Sequence, residues 1–252
     1  MEFIKSERDG HLAIVTLSRG KANALNRAMI EELYAAISEA ATDEAVRGLV
    51  LASDRPKFFS AGFDIAEVFK YGRETMTSFF ARFIEVYTGL NRLPKPVIAA
   101  VSGHAFAGGA VLASACDFRI MAEGNFGFAL NEINLGFVLP PGMIRMVIDA
   151  MGTSQARALL LSGATISPAQ ALDIGLVNEL AKPELVLARA TAQARELAEK
   201  PAAAFAALKR SIREIIGHPA TDDRQFLGPF IDHWFSPEAH ARKQALMESM
   251  RR

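Results

Sequence analysis

The amino-acid sequence predicts an α/β fold that ends in a helical region. The first 52 residues are predicted to form two strands, a helix and a further strand, an order that contains a βαβ unit. Two uncharged apolar runs, GLVLA at 48–52 and VIAAV at 97–101, are typical of parallel strands buried on both faces. From Lys182 onward the pattern favours helices alone. These features indicate a parallel sheet with helices packed on it.

The N-terminal elements follow from turn signals and periodicity. Asp9-Gly10 is a turn signal between two predicted strands, and apolar residues alternate through 11–18. A loop over 19–26 leads into a predicted helix over 27–42. The helix is predicted because its large apolar residues share one face. They are Met29, Ile30, Leu33, Tyr34 and Ile37.

Residues 58–68, FFSAGFDIAEV, predict a turn from a strand into a helix. Asp64 is placed to cap that helix, because a carboxylate at this position accepts hydrogen bonds from the first helical N–H groups. A second helix, rich in Phe and Tyr, is predicted over 73–93. It stops at residues 93–96, Leu-Pro-Lys-Pro, since proline does not continue a helix.

The region after residue 140 predicts short helices and one last strand. Gly152 separates two predicted helices over 143–151 and 153–161. Ser167-Pro168 is typical of a helix N-terminus and begins a helix that runs to Asp173. The last strand is predicted over 175–180.

The predicted helical end is more apolar than an exposed tail would be. Pro201, Pro219 and Pro237 divide it into four predicted helices. Its last segment, 222–252, carries a set of large apolar side chains that require a partner surface. They are Phe226, Phe230, Ile231, Trp234, Phe235, Leu246 and Met247. We expect this segment to pack on its own domain or on a neighbouring subunit.

Composition and charge exclude several classes of function. The 252 residues carry 28 acidic and 28 basic side chains, so no charge pattern favours nucleic acid or an anionic membrane. Cys116 is the single cysteine, which excludes an internal disulfide and a cysteine-based metal cluster, and we expect it to be a small buried residue. No apolar run approaches about 20 residues, and no signal-peptide core is evident. A cytoplasmic protein is therefore expected.

The stretch 102–136 contains two features that carry chemistry. Gly108-Gly109 opens a predicted helix, whose first N–H groups have no partner within the helix. Glu132 is the only charged residue in the run 125–143. A carboxylate in such a segment is either a surface or capping group, or a functional one. Nearby Asp117 and Arg119 are expected to form a structural ion pair or contacts at a strand edge.

Seven segments together carry a family resemblance. They are SRGKANALN (18–26), FFSAGFDI (58–65), KPVIAAVSGHAFAGGA (95–110), CDFRIMAE (116–123), FALNEINLG (128–136), SPAQALDIGLVNEL (167–180) and the helical tail. In this order and at these spacings, the chain resembles the enoyl-CoA hydratase/isomerase family, the crotonase superfamily, over essentially its full length. The resemblance implies a crotonase-like spiral of ββα units over 1–195 and a helical C-terminal trimerisation region over 196–252.

The resemblance also implies binding of acyl-CoA thioesters. The family stabilises a thioester enolate with two backbone N–H groups, which by motif position are those of Phe63 and Gly108. Fixed donors aimed at the developing oxyanion lower the barrier to proton removal. Coenzyme A would be held through seven residues of two loops. They are Lys21, Ala22, Ala24, Ala61, Gly62, Asp64 and Ile65. No separate cofactor and no metal is expected, because coenzyme A is part of the substrate.

The number of carboxylates separates the reactions of this family. Its hydratases carry two glutamates, and the first lies three residues after the oxyanion-hole glycine, where this chain has Val111. The second matches Glu132. The sequence is therefore similar to the Δ3,Δ2-enoyl-CoA isomerases, in which one glutamate moves a proton from C2 to C4. The alternatives are other acyl-CoA chemistry of the family (weak hydration, decarboxylation or hydrolysis) and a non-catalytic acyl-CoA-binding member.

Three further expectations complete the sequence-based interpretation. The segment LPPGM, 139–143, replaces the Gly-rich loop of the hydratases, which again disfavours hydration. An apolar acyl site is expected from Phe126, Phe128, Phe137, Leu139 and Met143. The resemblance implies a homotrimer or a dimer of trimers that acts in fatty acid metabolism.

Overall fold

The computed structural model, which describes residues 1–215 and 223–249, contains two sheets flanked by helices. The strands are β1 (Ile4–Asp9), β2 (Leu12–Leu17), β3 (Gly48–Ser53), β4 (Phe58–Ser60), β5 (Val97–Val101), β6 (His104–Phe106), β7 (Phe118–Ala122), β8 (Phe128–Ala129) and β9 (Glu179–Ala181). The α-helices are α1 (Arg27–Thr42), α2 (Ile65–Val68), α3 (Arg73–Arg92), α4 (Gly108–Ser114), α5 (Pro141–Met151), α6 (Thr153–Ser162), α7 (Pro168–Asp173), α8 (Val186–Ala198), α9 (Ala202–Ile215), α10 (Leu227–Trp234) and α11 (Pro237–Ser249). Three 3₁₀ turns lie at Glu132–Leu135, Pro183–Leu185 and Asp223–Phe226.

The chain alternates between the two sheets. The larger sheet has the order β1-β2-β3-β5-β7-β9 and the smaller has the order β4-β6-β8. Apart from the antiparallel pair β1–β2, neighbouring strands are parallel. Three successive strand pairs, β3–β4, β5–β6 and β7–β8, therefore place one strand in each sheet before the next helix. This is the predicted spiral of ββα units, and the expected fold class is confirmed.

The predicted helices agree with the structure more closely than the predicted strands do. The helix predicted over 27–42 is α1, and the Ser167 side chain forms a capping box at the start of α7. The last strand was placed wrongly at 175–180, because β9 is Glu179–Ala181. Strands β6 and β8 were not predicted, since two or three residues are too few to display a period of two.

Both faces of the central strands of the larger sheet are buried, whereas the edge strand β1 is mostly exposed. Leu49 and Leu51 of β3 face one apolar cluster with α1 and α3, while Val50 and Ala52 face another cluster with α8. This two-sided burial explains the continuous apolar runs that the sequence displays. The predicted division between residues 195 and 196 falls inside α8 and remains a prediction.

Buried polar contacts hold α4 and α9 on the sheet. The expected ion pair between Asp117 and Arg119 is wrong, because the Asp117 carboxylate pairs with the Lys209 ammonium over 2.7 Å. Asp117 also accepts the N–H of Val97 over 2.8 Å, as the strand-edge alternative predicts. The buried Arg119 guanidinium donates to the carbonyl oxygens of Leu176 and Cys116 over 2.5 and 2.6 Å. The bond to Cys116 satisfies a backbone oxygen just after α4, and the bond to Leu176 satisfies one in the segment between α7 and β9.

Candidate active site

A cavity of about 420 Å³ lies between the start of α4, the helix α3 and the helix α10. Glu132, Phe63, Gly108 and Val111 all line it. They come from separate parts of the chain, and the folding of the two sheets brings them together. The size is within the range of small-molecule sites, which is roughly 300–1,000 Å³.

Two backbone N–H groups at one end of the cavity have no acceptor within residues 1–215 and 223–249. The segment after β4 is fixed by the loop before α1: the Leu25 N–H donates to the Gly62 oxygen over 2.7 Å, and the Asp64 N–H donates to the Leu25 oxygen over 2.9 Å. This pairing leaves the N–H of Phe63 unused. Among the described residues, the N–H of Gly108, at the first position of α4, also has no acceptor. Both donors are available to a ligand in the cavity.

Close backbone packing brings together the two segments that carry these donors. A Cβ atom at Gly62, where φ is +85°, would lie 2.9 Å from the Phe106 oxygen and 3.2 Å from the Gly108 nitrogen. A Cβ atom at Gly109 would lie 2.6 Å from the Ser60 oxygen. The two glycines are therefore required for the segment after β4 and the N-terminus of α4 to approach each other.

Ala107, directly before α4, has a strained backbone. Its φ is +46° and its ψ is −122°, a region that non-glycine residues rarely occupy. The Ala107 N–H donates to the Ala129 oxygen over 2.8 Å, and the Val111 N–H donates to the Ala107 oxygen over 2.9 Å. These bonds hold the strained turn directly before Gly108, which lines the cavity.

One carboxylate oxygen of Glu132, Oε2, has no hydrogen-bond partner among the described residues. The residue as a whole is partly exposed, but its Oε2 atom has almost no exposed surface. No hydrogen-bond partner of Oε2 is found within residues 1–215 and 223–249. Burial of the carboxylate raises the pKa of Glu132 to about 7, and a bond from its own backbone N–H opposes this rise only in part. At neutral pH, Glu132 can therefore both accept and donate a proton.

The other carboxylate at the described cavity wall is already engaged. Asp64 pairs with the Arg19 guanidinium over 2.7 Å and accepts the N–H groups of Ala66 and Glu67. Its predicted role as the cap of α2 is confirmed. Val111, at the position where the hydratases carry a glutamate, is buried in the cavity wall and has no acid–base group. Glu132 is thus the unpaired carboxylate of the described lining.

The rest of the lining is mainly aromatic. Phe230 of α10 stacks on Phe80 of α3 with a centroid separation of 3.5 Å, and Trp234 of α10 stacks on Phe137 at 4.4 Å. All four side chains line the cavity. An apolar lining of this kind suits an apolar ligand chain and also accounts for the desolvation of Glu132.

Comparison with known proteins agrees with this architecture. The model of the enoyl-CoA hydratase/isomerase family matches residues 7–230. The chain belongs to this family. A probable enoyl-CoA hydratase of Bacillus subtilis is 36% identical over 82% of this chain and 81% of its own length. Rat mitochondrial enoyl-CoA delta isomerase 1 is 29% identical over 75% of this chain and 65% of its own length.

A solved structure extends the agreement to the whole fold. The crystal structure of human mitochondrial Δ3-Δ2-enoyl-CoA isomerase is similar with a TM-score of 0.93, covering 99% of this chain and 98% of the other, at 24% identity. Relatives in this family are thus named both hydratase and isomerase. The chain is therefore an enzyme of the enoyl-CoA hydratase/isomerase family, which acts on acyl-CoA thioesters.

Five of the seven predicted coenzyme A contacts line the cavity. They are Ala22, Ala24, Ala61, Asp64 and Ile65. Lys21 is exposed and lies outside the described lining, while Gly62 is buried behind it. The binding roles of all seven residues remain predictions, as do the catalytic roles of Glu132, Phe63 and Gly108.

The acyl site was predicted only in part. Phe137, Leu139 and Met143 line the cavity, but Phe126 and Phe128 do not belong to its described wall. The sequence-based interpretation missed Phe80 and Phe83 of α3 and Phe230 and Trp234 of α10 as cavity residues. Their signal was the aromatic content of these two helices, which without the fold indicates only burial.

His104 and Cys116 lie near the site in sequence but outside its described lining. The Nδ1 atom of His104 accepts the N–H of Gly127 over 2.9 Å, which is a structural contact. Cys116 is buried, as predicted, and burial raises the pKa of its thiol to about 12. Within the described residues, no group of three or more His, Cys, Asp or Glu could hold a metal ion, and no helix is long and apolar enough to cross a membrane.

Proposed function

We propose that this chain is a Δ3,Δ2-enoyl-CoA isomerase in which Glu132 moves a proton from C2 to C4 of the acyl chain. The observation that carries the proposal is the single unpaired carboxylate of the described cavity wall, with a pKa raised to about 7. Isomerisation removes one proton and returns one proton, so a single acid–base group is sufficient. A group with a pKa near the working pH is effective in both directions.

The reaction needs stabilisation of one negative charge. Ionised Glu132 takes a proton from C2, and the electron pair of the C–H bond moves into a dienolate whose charge lies largely on the thioester oxygen. The N–H groups of Phe63 and Gly108 donate hydrogen bonds to that oxygen. Protonated Glu132 then returns the proton at C4, and the double bond ends between C2 and C3. Atoms and charge balance without a further reactant.

The fixed donors supply most of the electrostatic stabilisation in this scheme. They are backbone groups held by neighbouring strands, so they do not have to reorganise as the charge develops. The N-terminal end of α4 adds a positive partial charge near Gly108. Loss of one such donor typically lowers the rate about 10²- to 10³-fold.

Hydration is the second candidate, because relatives such as the Bacillus subtilis protein are named probable enoyl-CoA hydratases. Addition of water needs a group that activates the water and a group that protonates C2. Val111 supplies neither, and Asp64 is held by Arg19. We therefore place hydration below isomerisation. Decarboxylation, hydrolysis and simple acyl-CoA binding remain outcomes of the test.

The remaining parts of the proposal concern the substrate and the assembly. Coenzyme A enters as part of the substrate, held at Lys21, Ala22, Ala24, Ala61, Gly62, Asp64 and Ile65. The active form is a homotrimer or a dimer of trimers, in the cytoplasm, in fatty acid metabolism. Light scattering coupled to size-exclusion chromatography measures the assembly directly.

The test is the conversion of a 3-enoyl-CoA to its conjugated 2-enoyl isomer, followed by absorbance. We expect turnover by the wild type and a loss of at least about 10²-fold in Glu132→Gln, since the amide cannot move the proton. Acyl-CoA affinity should be retained, because the two residues are nearly isosteric. Glu123→Gln, an exposed glutamate outside the described lining, is the matched control. A wild type without turnover, or a fully active Glu132→Gln variant, contradicts the proposal.

A further inference from the structure

The helix α10 returns from the C-terminal region and forms part of the cavity wall. Phe230 and Trp234 are about 3% and 2% exposed, and each stacks on a ring from another part of the chain. The cavity therefore has its full shape only while α10 stays in place. The contacts that hold α10 in position therefore also determine the depth of the cavity.

A buried carboxylate lies just before α10. Asp223, which is 7% exposed, begins the 3₁₀ turn that leads directly into this helix. Its Oδ2 atom accepts the hydroxyl of Tyr87 of α3 over 2.5 Å. Its Oδ1 atom accepts the N–H of Gly142 of α5 over 2.8 Å. One side chain thus joins the start of α10 to two other helices.

The contact with α5 uses the end of a helix. Gly142 lies in the first turn of α5, where N–H groups have no intrahelical acceptor and the helix dipole favours a negative charge. A Cβ atom at Gly142 would overlap the Asp223 carboxylate. The absence of a side chain at residue 142 is therefore what admits Asp223 to this helix end.

A second contact between α10 and α3 lies on the surface. Asp232 pairs with Arg73 over 2.8 Å, and these side chains are 72% and 57% exposed. Exposed ion pairs contribute little to stability because water and salt screen them. The buried contact of Asp223 is expected to dominate, since breaking it leaves polar groups without partners away from water.

We propose that Asp223, with Tyr87 and Gly142, forms a clasp that positions α10 and thereby sets the length of acyl chain that the site accepts. Asp223 is a positioning residue, because it acts through Phe230 and Trp234. When the clasp is broken, α10 occupies displaced positions for part of the time. Affinity for chains that reach α10 then falls in proportion to the fraction of molecules with α10 in place. The proposal uses the proposed function only to name acyl-CoA thioesters as the ligands.

The first experiment needs no ligand. Trp234 is the single tryptophan, so tryptophan fluorescence excited at wavelengths beyond the tyrosine absorption band reports on α10. We expect a red shift and increased acrylamide quenching in Tyr87→Phe and Gly142→Ala, with unchanged far-ultraviolet circular dichroism. Tyr34→Phe on α1 and Asp232→Asn on α10 are the matched controls and should behave as the wild type. Unchanged shielding of Trp234 in both clasp variants overturns the proposal.

The second experiment measures binding of saturated acyl-CoA thioesters, which do not react. For octanoyl-CoA, we expect Kd to rise by up to about tenfold in Tyr87→Phe and Asp223→Asn, because loss of one buried hydrogen bond shifts the equilibrium position of α10 by about this factor at most. For acetyl-CoA, Kd should change less than about twofold, since so short a chain does not reach α10. An equal loss for both ligands overturns the proposal.

The two proposals can fail separately. If the wild type binds octanoyl-CoA and depends on the clasp but isomerises nothing, the proposed function is wrong and the clasp stands. If the wild type isomerises 3-enoyl-CoA but the clasp variants keep its chain-length preference, the clasp is wrong and the function stands. If no acyl-CoA binds, both the proposed function and the claim that the clasp sets acyl-chain length are overturned.

Discussion

Val111 and Glu132 line the same cavity, but Glu132 alone can carry a proton. Val111 lies on α4, one helical turn after the strained residue Ala107, and Glu132 begins the 3₁₀ turn after β8. Hydratases of the family need a carboxylate at both positions. The pair therefore offers a direct way to change the proposed chemistry by one substitution.

We expect Val111→Glu to raise hydration of 2-enoyl-CoA about tenfold above the wild type, because a second acid–base group becomes available to a water. Isomerisation should fall, since the larger side chain occupies the cavity. Val111→Gln is the matched control, with similar volume and no acid–base group. Hydration that is equal in the Glu and Gln variants would contradict the role assigned to this position.

The pH dependence of kcat/KM should follow Glu132. The base must be ionised, and its pKa is raised to about 7 by burial. We expect kcat/KM for a 3-enoyl-CoA to fall as the pH decreases through about 7, approaching a tenfold loss for each further pH unit. A profile that is flat between about pH 5 and pH 8 would assign the rate-limiting proton transfer to another group.

Ionisation of Glu132, which the proposed activity requires, should lower the free energy of unfolding. Because burial raises the pKa of Glu132 from 4.5 to about 7, the native state holds more protons than the unfolded state between these values. Its ionisation therefore lowers the free energy of unfolding as the pH rises through this range. The Glu132→Gln variant does not undergo this loss. Its free energy of unfolding relative to that of the wild type should therefore increase by up to about 3 kcal/mol from pH 4 to pH 8. Urea denaturation of the variant and the wild type at both pH values measures this difference in the free energy of unfolding. A difference that does not depend on pH contradicts a raised pKa of Glu132.

Gly109→Ala should disturb the proposed oxyanion site without contacting the ligand. The new Cβ atom would lie 2.6 Å from the Ser60 oxygen, so α4 must shift away from β4. We expect kcat to fall by up to about 10²-fold, as for loss of one backbone donor, with a smaller change in acyl-CoA affinity. Gly72→Ala is the control, because nothing lies within 4 Å of its Cβ position. Equal effects of the two substitutions would exclude this mechanism.

Local patterns in the sequence were sufficient for much of the secondary structure. The helix α1 was predicted from the spacing of its apolar residues, and the cap of α2 from a carboxylate at the right position. Such features depend on neighbours within a few residues of each other. The strands β6 and β8 were not predicted, because they are held by pairing with distant segments rather than by a periodic pattern.

The residues of the candidate site likewise fall into two groups, those predicted from the sequence and those recognised only in the structure. Glu132, Phe63, Gly108 and Val111 were identified from motif spacing, and the fold brings them to one cavity. Phe80, Phe230 and Trp234 carried no motif, and their contribution to the wall became visible only when α3 and α10 were seen to meet. The pairing of Asp117 with Lys209 instead of Arg119 likewise depended on where α9 packs.

By itself, the sequence determined the family, the α/β fold class and the presence of one glutamate where hydratases carry two. These properties are written in residue identity and spacing, which do not depend on distant contacts. Only the tertiary structure decided that Oε2 of Glu132 lacks a partner among the described residues, that burial raises the pKa of Glu132 to about 7, and that Asp223 joins the start of α10 to α3 and α5. Desolvation and hydrogen bonding depend on what surrounds a group in space, and those neighbours come from segments that the linear order keeps apart.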